Sequence, residues 1–196
     1  MAETHPHEPD VRIPDGANDD GEGIVVGEGP IVVDAYIDFL CPFCRQFEER
    51  SGPTLERLAA EGAMSLIYHP LGFLDGLSTT RYSSRAASAS GCASDAGRFL
   101  PYLHVLYDNQ PPEGGPGLSD EELVMLGDAA GIDDAQFAAC VTTHAHLPWA
   151  AYVTERALAR GVSGTPSTLV EGVPVPANAQ TIIAAIEAVA STRSAR

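Results

Sequence analysis

The segment Leu40-Cys41-Pro42-Phe43-Cys44 joins an apolar run to a helix-like one, and this junction constrains the fold more than any other feature. Before it, "GPIVVDAYIDFL" is rich in β-formers and bounded by Gly29 and Pro30, so residues 31–37 read as a central strand. After it, Phe43, Phe47, Leu55 and Leu58 recur at helical spacing, interrupted by "SGP" at 51–53, which predicts a helix kinked near Pro53. "AMSLIYHP" then supplies a second strand, ended by Pro70. Two cysteines thus sit where the first strand of a βαβ unit hands over to its helix.

The chain then changes character. Residues 77–149 hold no convincing strand, and their periodicity predicts helices over 79–91, 95–108, 119–130 and 134–142, with "NQPPEGGPG" as a loop and Ser119 and Asp133 as caps. A further helix, 147–160, ends at Gly161. β character returns in "PSTLVEGVPV", a hairpin turning at Glu171 and Gly172, and an amphipathic helix follows over 178–190. The order predicts an α/β domain, a small mixed sheet covered by helices, with an all-helical insertion after its first βαβ unit.

Composition narrows the partners. A net charge of -16, with every one of the 11 basic residues an arginine, argues against electrostatic binding to nucleic acid or anionic membranes. Proteins or small molecules are the remaining classes of partner. Residues 1–30 hold eight acidic residues against Arg12, and residues 1–23 are expected to form a solvated, disordered tail. That opening has no basic region followed by an apolar stretch, and no segment is long enough to span a bilayer, so neither a signal peptide nor membrane insertion is expected. Nothing reads as a dimerisation module, and a monomer is expected.

The cysteine pair can bind zinc, lock a turn or exchange electrons. A helix starting at Pro42 puts Cys41 at its N-terminus, where free amide N–H groups and the positive end of the dipole stabilise a thiolate. Proline is favoured at the first helical position because its missing N–H costs nothing there. Cys44 comes round to the same side, within disulfide reach. This geometry predicts an accessible Cys41 as nucleophile and a more buried Cys44 as its resolving thiol. Structural zinc sites need four ligands, and Cys92, Cys140 and the histidines show no ligand-like spacing, so no metal is expected; His144 and His146 read as surface residues. Pro166 in "GVSGTPST" is either an ordinary trans proline opening a strand or a cis proline beside the dithiol.

"DFLCPFCRQFEE" followed by "ALARGVSGTPSTLVEG", with "HPLGFLD", "SSRAASASGCA", "FLPYLHVLYDNQPPEG" and "GIDDAQFAACV" between them, resembles the DsbA-like thiol-disulfide oxidoreductases, closest in pattern to actinobacterial members. The resemblance covers residues 24–192. It implies a thioredoxin fold built from 24–76 and 150–196, with 77–149 as the helical insertion. It also implies Cys41 as nucleophile, Cys44 as its partner, Pro166 as a cis proline, and Pro42, Phe43, Thr165 and Pro166 as the surface that meets the client. The activity implied is donation of the Cys41–Cys44 disulfide to cysteine-containing client proteins, with no cofactor beyond the dithiol and with a separate redox partner to recycle it. A reductase or isomerase on the same fold, and a non-catalytic peptide-binding module, are the alternatives.

Two departures bear on strength and direction. Relatives often carry a buried acid six positions before the first cysteine, where this chain has Ala35; alternation along the strand points Asp34 and Asp38 to the opposite face. Relatives that oxidise strongly often have histidine where Phe43 stands, and phenylalanine donates no hydrogen bond to a thiolate. A less depressed Cys41 pKa and a milder oxidant are therefore expected. Cys92 and Cys140 each fall in apolar helical patterns, as unpaired core cysteines would; the resemblance implies instead a structural disulfide between them. That bridge and the family point to an extracytoplasmic protein, although no signal is expected from the opening residues.

Overall fold

The apolar run before the cysteines forms the middle of a five-stranded sheet. The computed structural model describes residues 11–195. Its elements are β1 (Ile24–Val26), β2 (Val32–Ile37), α1 (Pro42–Ala60), β3 (Ser65–Pro70), α2 (Tyr82–Asp95), α3 (Phe99–Asp108), α4 (Asp120–Ala129), α5 (Ala135–Thr142), α6 (Leu147–Ala159), β4 (Ser167–Val170), β5 (Val173–Val175) and α7 (Ala179–Ser194). The strand order is β1-β3-β2-β4-β5, with β2 and β3 parallel and every other pair antiparallel. This is the expected thioredoxin fold, with β1 as an edge strand that the sequence pattern did not reveal.

β2 is buried on both faces, so it reads as a continuous apolar run interrupted by Asp34. Ala35 lies beside Tyr68 on the face covered by α1, whereas Asp34 bonds His69 and Tyr36 stacks on His69 on the other face. α1 runs through Pro53 to Ala60. Pro53 is exposed, and the carbonyl that loses its partner belongs to exposed Glu49, which water can satisfy. The buried stripe of α1 is Cys44, Phe47, Glu48, Ser51, Gly52, Leu55 and Ala59, rotated from the stripe expected from its apolar residues; Phe43 is 66% exposed. The hairpin turns as predicted, with Glu171 (φ 51°) and Gly172 (φ 75°) both left-handed, the conformation a two-residue turn requires.

The helical block α2–α5 is organised around α2, which packs against α3, α5 and α6. Small Ala and Ser side chains let α2 lie buried along nearly its whole length. Ser119 caps α4 through a reciprocal capping box with Glu122, as its spacing predicted. The cap of α5 is Asp134, one residue later than expected, its carboxylate accepting the Phe137 N–H.

The expected tail requires correction. Residues 1–10 lie outside the described residues, but 11–23 pack against the body. Trp149 donates its indole N–H to the Gly21 carbonyl (2.7 Å), His146 and His69 bond the carbonyls of Arg12 and Glu22, and Glu22 pairs with Arg156 and Arg160. Charge density alone read this stretch as solvated; buried Trp149, His69 and His146 satisfy its backbone instead. His146 is thus fully buried, not the surface residue expected, and its second nitrogen meets Asp95 at 2.9 Å. Among the described residues no helix is long and apolar enough to cross a membrane.

Candidate active site

α1 begins where it was expected to begin, with Cys41 as N-cap in extended conformation and Pro42 at the first helical position. Cys41 and Cys44 stand as two free thiols. The Cys44 thiol hydrogen-bonds Cys41 and, with the Thr165 side chain and the amide N–H groups of Phe43 and Cys44, lowers its pKa to about 6 against the opposing effect of burial. Cys44 is fully buried, and burial together with the neighbouring Cys41 holds its own pKa well above the ordinary thiol value. The two thiols are thus unlike, with the anion favoured at Cys41 and the protonated form at Cys44. Cys41 is less open than expected, at 4% exposed, and is reached through an adjoining groove.

Across from Cys41, the Thr165–Pro166 peptide bond is cis, and the Thr165 carbonyl oxygen lies 3.3 Å from the Cys41 sulfur. The groove between them, about 670 Å³, is lined by Phe43, Phe73, Leu74, Leu158 and Thr165. Phe43 and Leu158 are 66% and 58% exposed, so two large apolar side chains flank the thiol in open solvent. All the residues singled out from the motif, Cys41 to Cys44 with Thr165 and Pro166, thus meet at one place.

Asp38 corrects the face assignment made from alternation. β2 ends at Ile37, so the period of two stops before Asp38. Its N–H points at the Cys44 sulfur (3.4 Å), and its carboxylate accepts from Leu40 N–H, Ser83 O–H and Leu74 N–H. Burial raises its pKa to about 6 despite those three donors. Gln110, just beyond α3, donates to the carbonyls of Phe39 and Cys41 at 2.9 and 3.0 Å. The insertion therefore grips the dithiol loop through Ser83 and Gln110. No local pattern marked either residue, because both act across long sequence separations.

Cys92 of α2 and Cys140 of α5 form a disulfide (Cα–Cα 5.8 Å), as the resemblance implied. His146 brings a potential ligand atom within 4.8 Å of both sulfurs, but disulfide sulfurs are not the thiolates that bind zinc. A pocket beside this bridge, bordered by Arg12, Asp95 and Asp134, shares no lining residue with the groove at Cys41.

A dithiol of unequal pKa at a helix start, facing a cis proline on a mixed sheet, defines the class of thiol-disulfide oxidoreductases. A family model described as Thioredoxin matches residues 19–188, and the chain belongs to that family. It is similar to the disulfide oxidoreductase DsbG of Mycobacterium tuberculosis, with 29% identity, a TM-score of 0.76 and coverage of 87% of this chain and 88% of that one. DsbA of the same organism is 30% identical, with a TM-score of 0.70 over 79% of this chain and 84% of its own. Among curated proteins, the serine/threonine-protein kinase PknE of M. tuberculosis is 29% identical over 160 residues, so the chain spans 28% of that relative's length. The chain is thus a DsbA-like thiol-disulfide oxidoreductase.

The lowered Cys41 pKa has a direct consequence. Alkylation by iodoacetamide should speed up as pH rises through about 6 and level off above it, because only the thiolate attacks. Stopped-flow alkylation of the dithiol form from pH 4 to 9 measures this, and a midpoint near the ordinary thiol value of about 8.5 would contradict it.

Proposed function

We propose that this protein is an oxidase that transfers its Cys41–Cys44 disulfide to client proteins. The observation that carries the direction is the stabilised Cys41 thiolate: whatever holds that sulfur as an anion favours the dithiol form and makes the disulfide a better oxidant. In the forward reaction a client thiolate attacks the Cys41 sulfur, the Cys41–Cys44 bond breaks and Cys44 leaves with the electron pair. A second client thiolate then attacks the client sulfur of the mixed disulfide. Cys41 departs as the stabilised thiolate, and the client leaves oxidised. The dithiol itself carries the two electrons, and a separate redox protein must remove them.

The groove supports an extended client segment with an apolar residue near its cysteine, seated between Phe43 and Leu158, with the cis peptide at Pro166 leaving the Thr165 backbone beside the reacting sulfur. An extracytoplasmic setting is supported by the Cys92–Cys140 disulfide, since reducing cytosol keeps such pairs open. Incubating the disulfide form with a reduced two-cysteine client tests the reading. One client disulfide should form per protein molecule consumed, read by mass after acid quench. A client that stays reduced while the protein keeps its disulfide would contradict it.

A further inference from the structure

The loop "NQPPEGGPG", residues 109–117 between α3 and α4, brings the helical insertion to the mouth of the Cys41 groove. It is pinned at both ends. Gln110 donates to the carbonyls of Phe39 and Cys41 at 2.9 and 3.0 Å. Further on, the Gly114 N–H bonds the Leu77 carbonyl at 2.7 Å and the Thr79 N–H bonds the Gly115 carbonyl at 3.0 Å. Between these anchors Pro111 and Pro112 fix two φ angles. The backbone that carries Glu113 is therefore held in place, and Glu113 lines the same groove as the Cys41 sulfur.

Glu113 is exposed, and it is the one acidic or basic residue in a lining otherwise made of Cys41, apolar side chains, glycines and small hydroxyl residues. The charges next to the groove along the chain already have partners. Asp75, after Leu74, pairs with Arg81 at 3.1 Å; Arg160, after Leu158, pairs with Asp20 and Glu22 at 3.1 and 2.6 Å; Arg45, after Cys44, pairs with Glu49 at 2.8 Å. Glu113 has no ion-pair partner among the described residues, so its carboxylate sets the sign of the groove mouth. A client segment lying there meets a negative charge beside apolar surface, which repels an acidic residue and pairs with a cationic one.

We propose that Glu113 is a specificity-determining residue that selects client segments carrying an arginine or lysine, together with an apolar residue, within a few positions of the reacting cysteine. The two requirements fit one surface. Exposed Phe43 and Leu158 cover an apolar client side chain, and the aliphatic stem of Arg or Lys lies along the same surface while its head reaches the Glu113 carboxylate. The chain's net charge of -16 draws cationic segments toward the protein in general, and Glu113 turns that attraction into a choice made beside the thiol. This inference rests on the reading of the Cys41 groove as the client site.

One experiment separates the inference from that reading. The disulfide form of the full chain is mixed with reduced peptides that hold two cysteines and a phenylalanine and differ only in an Arg, Gln or Glu beside the first cysteine. Peptide oxidation is followed by mass after acid quench. Each rate is divided by that of the same peptide with hydroxyethyl disulfide, which removes the effect of the neighbouring charge on the peptide thiol itself. At low ionic strength the Arg peptide should react about fivefold faster than the Glu peptide, and the advantage should shrink in about 0.5 M NaCl. Glu113→Gln should lose most of that preference and Glu113→Arg should invert it, with the Gln peptide oxidised at a similar rate throughout. Glu187→Gln, on exposed α7 surface outside the groove, makes the same change in net charge and should keep the preference. An unchanged preference in Glu113→Gln, or an equal loss in Glu187→Gln, overturns the inference while leaving client oxidation intact. Failure of the unmodified protein to oxidise any of the peptides overturns the client-site reading, and the inference with it.

Discussion

Cys41→Ser is expected to reduce client oxidation to the uncatalysed rate, whereas Cys44→Ser, given a client peptide whose cysteine is already in a disulfide with a small leaving thiol, should accumulate a stable mixed disulfide between Cys41 and the client. The contrast follows from the two environments. Cys41 borders the groove and has its anion stabilised by the Cys44 thiol and the first amides of α1; Cys44 is fully buried with its thiol held protonated. Only Cys41 can therefore bond to a client sulfur. Without it the remaining thiol is shielded from solvent, and serine forms no disulfide. With Cys41 retained and Cys44 replaced, the covalent complex forms but no internal thiol resolves it. Non-reducing electrophoresis and mass spectrometry with a single-cysteine peptide supplied as its mixed disulfide with thionitrobenzoate distinguish the variants, since the Cys41 thiolate attacks the peptide sulfur and thionitrobenzoate leaves with the electron pair. Adducts in Cys41→Ser and none in Cys44→Ser would reverse the assignment.

The second large effect concerns stability. The Cys92–Cys140 bridge closes a loop of 48 residues between α2 and α5, for which loop-closure entropy gives about 4 kcal/mol of stabilisation. At about 2–4 °C per kcal/mol for a chain of this size, Cys92→Ala/Cys140→Ala should lower the unfolding midpoint by about 8–16 °C. Client oxidation well below the new midpoint should persist, since neither Cys92 nor Cys140 lines the groove at Cys41. Calorimetry of the two proteins under oxidising conditions measures the shift, and an unchanged midpoint would mean that the bridge contributes nothing to folding.

Most of the sheet and the heart of the site were legible because they are written locally. The strand before Cys41, Pro42 opening the helix, the two-residue turn at Glu171–Gly172 and the capping box at Ser119 each depend on a few adjacent residues. What escaped depends on distant partners. Residues 11–23 carry the composition of a solvated tail, yet Trp149, His69 and His146, far along the chain, hold their backbone in place. The α1 stripe was traced through apolar residues, so Glu48, a charged residue at a core position, was passed over. Asp38 was assigned by an alternation that ends with β2 at Ile37, one residue before it. The grip of Gln110 and Ser83 on the dithiol loop had no local signature at all.

Phe43 between the cysteines made redox strength the open quantity, and the Cys41 environment now bounds it. A pKa of about 6 lies between the values of about 7 for thioredoxin and about 3.5 for DsbA. The most direct test of a disulfide-donating role is the potential of the Cys41–Cys44 couple, obtained by equilibrating the full chain with glutathione buffers and counting its thiols. The expected potential lies above thioredoxin's, about -270 mV, and below DsbA's, about -120 mV. A value at or below about -270 mV would make the protein a reductant of its clients and contradict the oxidase assignment.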